Sequence, residues 1–363
     1  MKKTSYISCV ILIFLFNNCK KIEQRDEDKI NALVSDAGKF ETPPPNSETY
    51  SNASIDSMLQ GTKYVKCTTQ TVHLVKRIED YQIFYSQDYA EIYPGNIIQG
   101  KYLKDGRLNS IGEFKRNPVT LLIQNASRSK SFDVSDPNRE SLSSSVKNSD
   151  YYFYFDPPLY TYVNSVRAYS KQQVSLSLGI NANWLVASIG GKFEVTNEVG
   201  KSTVFIQLKQ IYYTASIGYP DKASKFFDKK VDAKDLKNVF TADNPPAYIN
   251  SVSYGRIAIA KVTSTYTKDE IIAALNAKFK VFNGSLTSQQ TQILNTCEYE
   301  VVAAGGPAID TWDINKLSNY FTEGNVFTNR TGAVPIAYTA NYLLDNSPFM
   351  THTVTDYTKR DCF

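Results

Sequence analysis

Apolar residues occupy every second position from Leu176 to Val186: Leu176, Leu178, Ile180, Ala182, Trp184 and Val186. Ser175, Ser177, Gly179, Asn181 and Asn183 fall between them. This is the two-residue period of a strand with one apolar and one polar face. Gly190-Gly191 then supplies a turn, and Phe193, Val195 and Val199 resume a weaker alternation. Alternating residues, a turn and a return make the pattern of a transmembrane β-hairpin. A second stretch, 268–304, obeys two periods at once. Ile271, Ala273, Leu275, Ala277, Phe279 and Val281 alternate, yet Ile271, Leu275, Phe279 and Phe282 also share one helical face. Ala, Leu and Lys favour the helix. Asn283-Gly284 offers a turn, after which Ile293 to Val302 can return as a strand. On periodicity alone, a soluble amphipathic hairpin or helix packed on a core stays open for both stretches.

The rest of the chain reads mostly as β from Ser54 onward. Strands are expected over Lys63–Val75, Pro118–Gln124, Ile206–Ile217 and Tyr248–Val262. An aromatic stretch from Tyr81 to Tyr93 ends at Pro94-Gly95. Ile314, Leu317 and Phe321 give Asp313–Phe321 a helical spacing. Ser127–Ser149 reads as a solvated loop with one helical turn. No internal repeat is visible.

Composition narrows the function. The 363 residues are 42% hydrophobic and 21% charged, enough for a packed core and too little charge for disorder. The 13% aromatic content favours β structure. A net charge of +4 leaves no footprint for nucleic acid. With two histidines and five cysteines, neither a His-rich metal site nor a Cys-rich zinc module is expected, and no cofactor is implied. There is no Gly-rich phosphate loop, no GxSxG, no Cys–His pair and no carboxylate pair at a telling spacing, so an enzyme is not expected.

Met1-Lys2-Lys3 precedes an apolar run from Val10 to Phe16, then Asn17-Asn18-Cys19-Lys20-Lys21. A basic start and a short apolar stretch form a signal peptide over 1–18. Cys19 stands where a bacterial lipoprotein carries its acylated cysteine, although Phe16, Asn17 and Asn18 are not the small residues a strict lipobox prefers. An exported outer-membrane or cell-surface lipoprotein is therefore expected, with plain secretion as the alternative. Residues 19–53, with Pro43-Pro44-Pro45, read as a mostly disordered tether.

A further set of motifs runs in order along the chain. It comprises Tyr93-Pro94-Gly95, Arg116-Asn117-Pro118-Val119-Thr120, Tyr169-Ser170-Lys171-Gln172-Gln173-Val174, and KQIYYTASIGYPDKASKFFD from Lys209. Pro245-Pro246-Ala247-Tyr248, INSVSYGR ending at Arg256, Val301-Val302-Ala303-Ala304-Gly305-Gly306 and VPIAYTANYLLDN from Val334 complete it. In these motifs, from Tyr93 to Thr358, the chain resembles the thiol-activated, cholesterol-dependent cytolysins. The resemblance implies an α+β fold of the membrane-attack-complex/perforin-like type. A central twisted antiparallel sheet would carry flanking helical bundles and join an elongated β connector and a bulk domain. By that layout 54–87 and 353–363 form the connector, and 88–166, 215–260 and 333–352 the bulk domain. Residues 167–214 and 261–332 form the central sheet.

The resemblance also implies a pore-forming toxin that oligomerises and inserts β-hairpins from 171–201 and 267–304 into a target-cell membrane. Leu176, Leu178, Ile180, Trp184, Val186, Ile271, Leu275 and Phe279 would meet lipid, and Asn181, Asn183, Lys278 and Lys280 the lumen. Gly305 and Gly306 match a hinge that lets a covering strand swing off the sheet edge, with the Asp313–Phe321 helix part of that cover. Tyr169 and Tyr299 match an aromatic pair that sets register between subunits. The family's C-terminal cholesterol-binding sandwich, with its Trp-rich loop, has no counterpart before Phe363, so the resemblance does not carry cholesterol binding over. A homo-oligomer, or a hetero-oligomer with a full-length cytolysin-like protein that supplies membrane binding, is expected. A non-inserting binding or inhibitory protein on the same scaffold is the alternative. Finally, the layout places Cys67 and Cys362 together in the connector and Cys297 in the central sheet, which implies a Cys67–Cys362 disulfide.

Overall fold

The computed structural model describes residues 26–60, 63–83, 90–112, 114–180, 195, 200–280 and 285–362. Two sheets organise them. The larger has nine strands and is built on the two longest, β8 (Ser202–Ile217) and β9 (Pro246–Ser264). These pair antiparallel from Ser202↔Ser264 to Ser216↔Ser251. β7 (Tyr160–Arg167) flanks β8, and β10 (Glu298–Ala304) flanks β9, so β7-β8-β9-β10 form four neighbouring strands. Above them β9 pairs with β11 (Val334–Tyr342) and β4 (Ile97–Gln99), β11 with β3 (Asp80–Gln82), and β8 with β5 (Val119–Gln124), which carries β6 (Ser129–Val134) at the edge. β8 is buried on both faces along most of its length. It therefore reads as a nearly continuous apolar run, which is why it was legible as a strand.

The smaller sheet has the order β1-β2-β12, from β1 (Ser47–Gln60), β2 (Lys63–Ile78) and β12 (Thr351–Cys362). β2 and β12 are in register from Thr351↔Ile78 to Cys362↔Cys67.

Two expectations are corrected. Residues 26–53, expected as a disordered tether, are folded. A helix spans 26–37 and buries Ile30, Val34 and Ala37, spaced on one helical stripe, in the main core. Its Asn31 accepts from the Ser224 amide at 3.0 Å, and Glu27 pairs with Lys225 at 2.9 Å. The chain then crosses Arg77, whose guanidinium donates to the Pro43 and Pro44 carbonyls, and enters β1. Charge and the three prolines concealed a helix whose apolar face only tertiary contact makes worthwhile. The Ser-rich 127–149 stretch likewise holds β6 and a nine-residue helix, Arg139–Lys147. Asn138 and Ser141 cap that helix reciprocally, and Leu142 and Val146 are buried.

Candidate membrane-insertion apparatus

The two ambiguous segments lie on opposite faces of the central strands. Successive residues of a strand point to opposite sides. On one side Val204, Ile206 and Leu208 of β8 and Ala258, Ala260 and Val262 of β9 make a single apolar surface. The helices Lys268–Phe279, Ser288–Thr296 and Ile314–Glu323 pack on it through Ile271, Leu275, Phe279, Ile293, Leu294, Leu317 and Phe321. On the other side Phe205, Ile211, Ile257, Ile259 and Val302 meet Val174, Leu178 and Ile180.

The second segment is helical because its local chemistry asks for it. Thr267 and Glu270 form a reciprocal cap at the start of Lys268–Phe279, and Thr287 and Gln290 do the same for Ser288–Thr296. The helical stripe prevails over the alternation: Ile271, Ala274, Leu275 and Phe279 are buried, whereas Ala273 is exposed. The return strand begins at Glu298 and not at Ile293, because 293–296 finish the second helix.

The first segment opens as the short helix Lys171–Ser177, capped by Ser170, whose hydroxyl accepts from the Gln173 amide at 3.1 Å. Its middle, 173–176, is buried, polar positions included: Ser175 and Leu176 are 0% exposed and Gln173 4%. Gly179 (φ +72°) ends the turn. There Gln82 donates to the Leu178 carbonyl at 3.1 Å, and Gln207 donates to Gln82 at 2.6 Å. Trp184 and Val186 lie outside the described residues, as do Asn181, Asn183 and Cys19.

Gly305 and Gly306 follow β10 with φ of +76° and +73°. A Cβ on Gly305 would sit 2.7 Å from the Gly255 carbonyl oxygen, and one on Gly306 2.6 Å from Arg256 Nη2. Both the dihedrals and the space thus demand glycine. The Arg256 guanidinium is buried and stacks 3.7 Å from the Tyr320 ring centre. The Tyr320 hydroxyl donates to the Gly305 carbonyl at 3.0 Å, which latches the Ile314–Glu323 helix to the glycine pair. Burial raises the Tyr320 phenol pKa, with Arg256 pulling the other way. The covering strand implied by the resemblance is not seen: 307–313 form no strand, and among the described residues β10 pairs only with β9.

Tyr169 and Tyr299 belong to opposite margins of the four central strands, beyond β7 and within β10. Tyr169 stacks on Tyr357 at 5.8 Å, and its hydroxyl donates to Asp361. Burial and the Asp361 carboxylate push the Tyr169 phenol far up. Tyr299 donates to the Leu294 carbonyl at 2.7 Å. Cys67 and Cys362 are joined by a disulfide, and Cys297 is free. Asp361, Gln82, Gln207 and Tyr320 were not singled out from the sequence. Each works through a partner 15 to 192 residues away, and no linear pattern announces it. No helix among the described residues is long and apolar enough to cross a bilayer, which says nothing of strands.

A central antiparallel sheet with helical segments on both faces and a glycine pair at its edge defines a cytolysin-type α+β fold. The comparisons agree. The family model described as thiol-activated cytolysin matches residues 19–361. Perfringolysin O of Clostridium perfringens (strain 13 / Type A) is 28% identical over 312 residues, covering 82% of this chain and 62% of its own length. Ivanolysin of Listeria ivanovii is 26% identical over 360 residues, covering 93% and 65%. The chain thus spans less than two thirds of the length of either relative. Among solved structures, the human-specific toxin intermedilysin superposes with a TM-score of 0.77 at 20% identity, covering 94% of this chain and 76% of that one. A non-hemolytic pneumolysin from Streptococcus pneumoniae strain ST306 gives 0.77 at 21%, covering 93% and 75%. The chain belongs to the thiol-activated cytolysins, a family of pore-forming toxins.

Proposed function

We propose that this chain is a pore component whose segments 171–201 and 267–304, helical at Lys171–Ser177, Lys268–Phe279 and Ser288–Thr296, convert to membrane-spanning hairpins in a barrel shared by many subunits. The observation that carries this is strand register. β7 and β8 pair Arg167 with Val204, and β8 and β9 pair Ser202 with Ser264. Run on at constant register, β7 reaches Leu176 level with Val195 of β8, and β9 brings Ile271 level with the same Val195. All three then point to the side of the sheet that Phe205 and Ile259 line. So do Leu178, Ile180, Trp184 and Val186 on one strand, Phe193 and Val199 on the next, and Ala273, Leu275, Ala277 and Phe279 on the third. Three strands thus present one apolar face to lipid and leave Asn181, Asn183, Lys278 and Lys280 on the lumen side. Backbone groups in lipid must be paired, so only a closed barrel satisfies them.

Among the described residues β7 pairs only with β8 and β10 only with β9, and such margins suit edge-to-edge addition of neighbours. Tyr169 and Tyr299, at opposite margins, then meet only between subunits, and Gly305-Gly306 is the hinge about which the latched Ile314–Glu323 helix moves away from β10. The neighbour is a second copy or a longer relative that contributes membrane binding. The chain is exported, with Cys19 as its lipid anchor.

Ala273 separates this reading from a non-inserting binding or inhibitory protein. It is exposed in the helix but faces lipid in the barrel, so Ala273→Arg should leave the monomer's stability unchanged. An arginine near the bilayer midplane costs about 2–4 kcal/mol per subunit. Dye release from phospholipid vesicles, measured with the chain alone and together with a full-length relative, should fall at least about tenfold. Equal release by both proteins, or none under either condition, overturns the reading.

A further inference from the structure

The end of β12 reaches the entry points of both convertible segments. Asp361 accepts from the Tyr169 hydroxyl, two residues before the Lys171–Ser177 helix. Its other oxygen lies 3.5 Å from Arg167 Nη1 and 3.8 Å from Lys359 Nζ. Arg167 in turn pairs with Asp269, in the first turn of the Lys268–Phe279 helix. Lys268 of the same turn sits 3.9 Å over the Tyr169 ring, whose other neighbour is Tyr357 of β12. One carboxylate on the three-stranded sheet therefore gathers the starts of segments that cover opposite faces of the central sheet. The next residue, Cys362, is bonded to Cys67 of β2, at the last register position of β12. Without that bond a strand terminus frays, because few contacts hold it.

We infer that Asp361 is a clasp holding both segments in their helical state, and that the Cys67–Cys362 disulfide keeps the clasp closed by preventing the end of β12 from fraying. The clasp also occupies Tyr169, which cannot serve a neighbouring subunit while it is bound to Asp361 and Tyr357. Opening one contact thus releases two segments and one assembly residue together. Coupling by a shared partner is a physical route for making two distant transitions concerted.

The inference rests on the strand conversion proposed above for its purpose, but not for its test. Hydrogen exchange read by mass spectrometry, on protein in solution without membranes, reports the clasp directly. In Asp361→Asn, and separately in Cys67→Ala/Cys362→Ala, exchange in 168–180 and 268–279 should rise about tenfold or more. The amides of Ile257–Ala260 in β9 should not change. Asp361→Glu should restore part of the protection. Unchanged protection in either segment overturns the clasp, and so does loss of equal size in β9, which marks global destabilisation. Faster exchange with no vesicle release by any variant leaves the clasp standing and removes the pore reading.

Discussion

The two segments proposed to convert reach the helical state by different physics. Lys268–Phe279 and Ser288–Thr296 carry reciprocal caps, good helix formers and one apolar stripe, so most of their helicity is specified within a few residues. Lys171–Ser177 has one cap, a strand-like alternation and buried serine and glutamine side chains. It is helical because the surrounding structure offers partners: Gln82 and Gln207 at its end, Asn164 donating to the Ser177 carbonyl at 3.2 Å, and the apolar wall of Phe205, Ile257 and Ile259. A helical segment can thus store its preference locally or borrow it from neighbours. The borrowed form keeps the purer strand pattern.

Three substitutions probe this difference. The largest effect is expected for Leu275→Ala, which empties a fully buried site and should cost about 2–5 kcal/mol of stability in denaturant unfolding. Exchange should accelerate across 268–279 and stay slow at 171–180; if both loosen together, the segments are one cooperative unit and the contrast fails. Next is Gln82→Ala, which removes the nearer of two side-chain donors to the Leu178 carbonyl, together with the acceptor of Gln207, and should cost about 1–3 kcal/mol. The loss should appear only in exchange of the first segment, and protection unchanged there would mean the wall alone holds it. The smallest is Thr267→Ala, which removes one cap for about 1 kcal/mol. It should loosen the 268–279 helix alone, and an effect on 171–180 would show that the local signal is shared.

What was readable in the chain follows the same division. β8 and β9 were visible because a strand buried on both faces is an apolar run, and Ile314–Glu323 because its stripe and its Asp313 cap are local. The 26–37 helix was not visible, since Ile30, Val34 and Ala37 lie among charges and only the main core gives them a surface to cover. The helix within the Ser-rich stretch was missed for a related reason: its serines serve as caps and back-bonds to the helix carbonyls, not as solvated loop. In 293–296 the Thr287 cap extended the helix beyond the point where β-branched and apolar residues suggested a strand.

The sequence by itself determined the alternation in 176–186, the double period in 271–281 and the glycine pair at 305–306, because side-chain period and backbone freedom are properties of consecutive residues. Only the tertiary structure decided that the two segments cover opposite faces of one sheet, that β7, β8 and β9 pair in the register they do, and that Asp361 joins their starts. Face, register and clasp are relations between residues far apart in the chain, and they come into being when the strands pair.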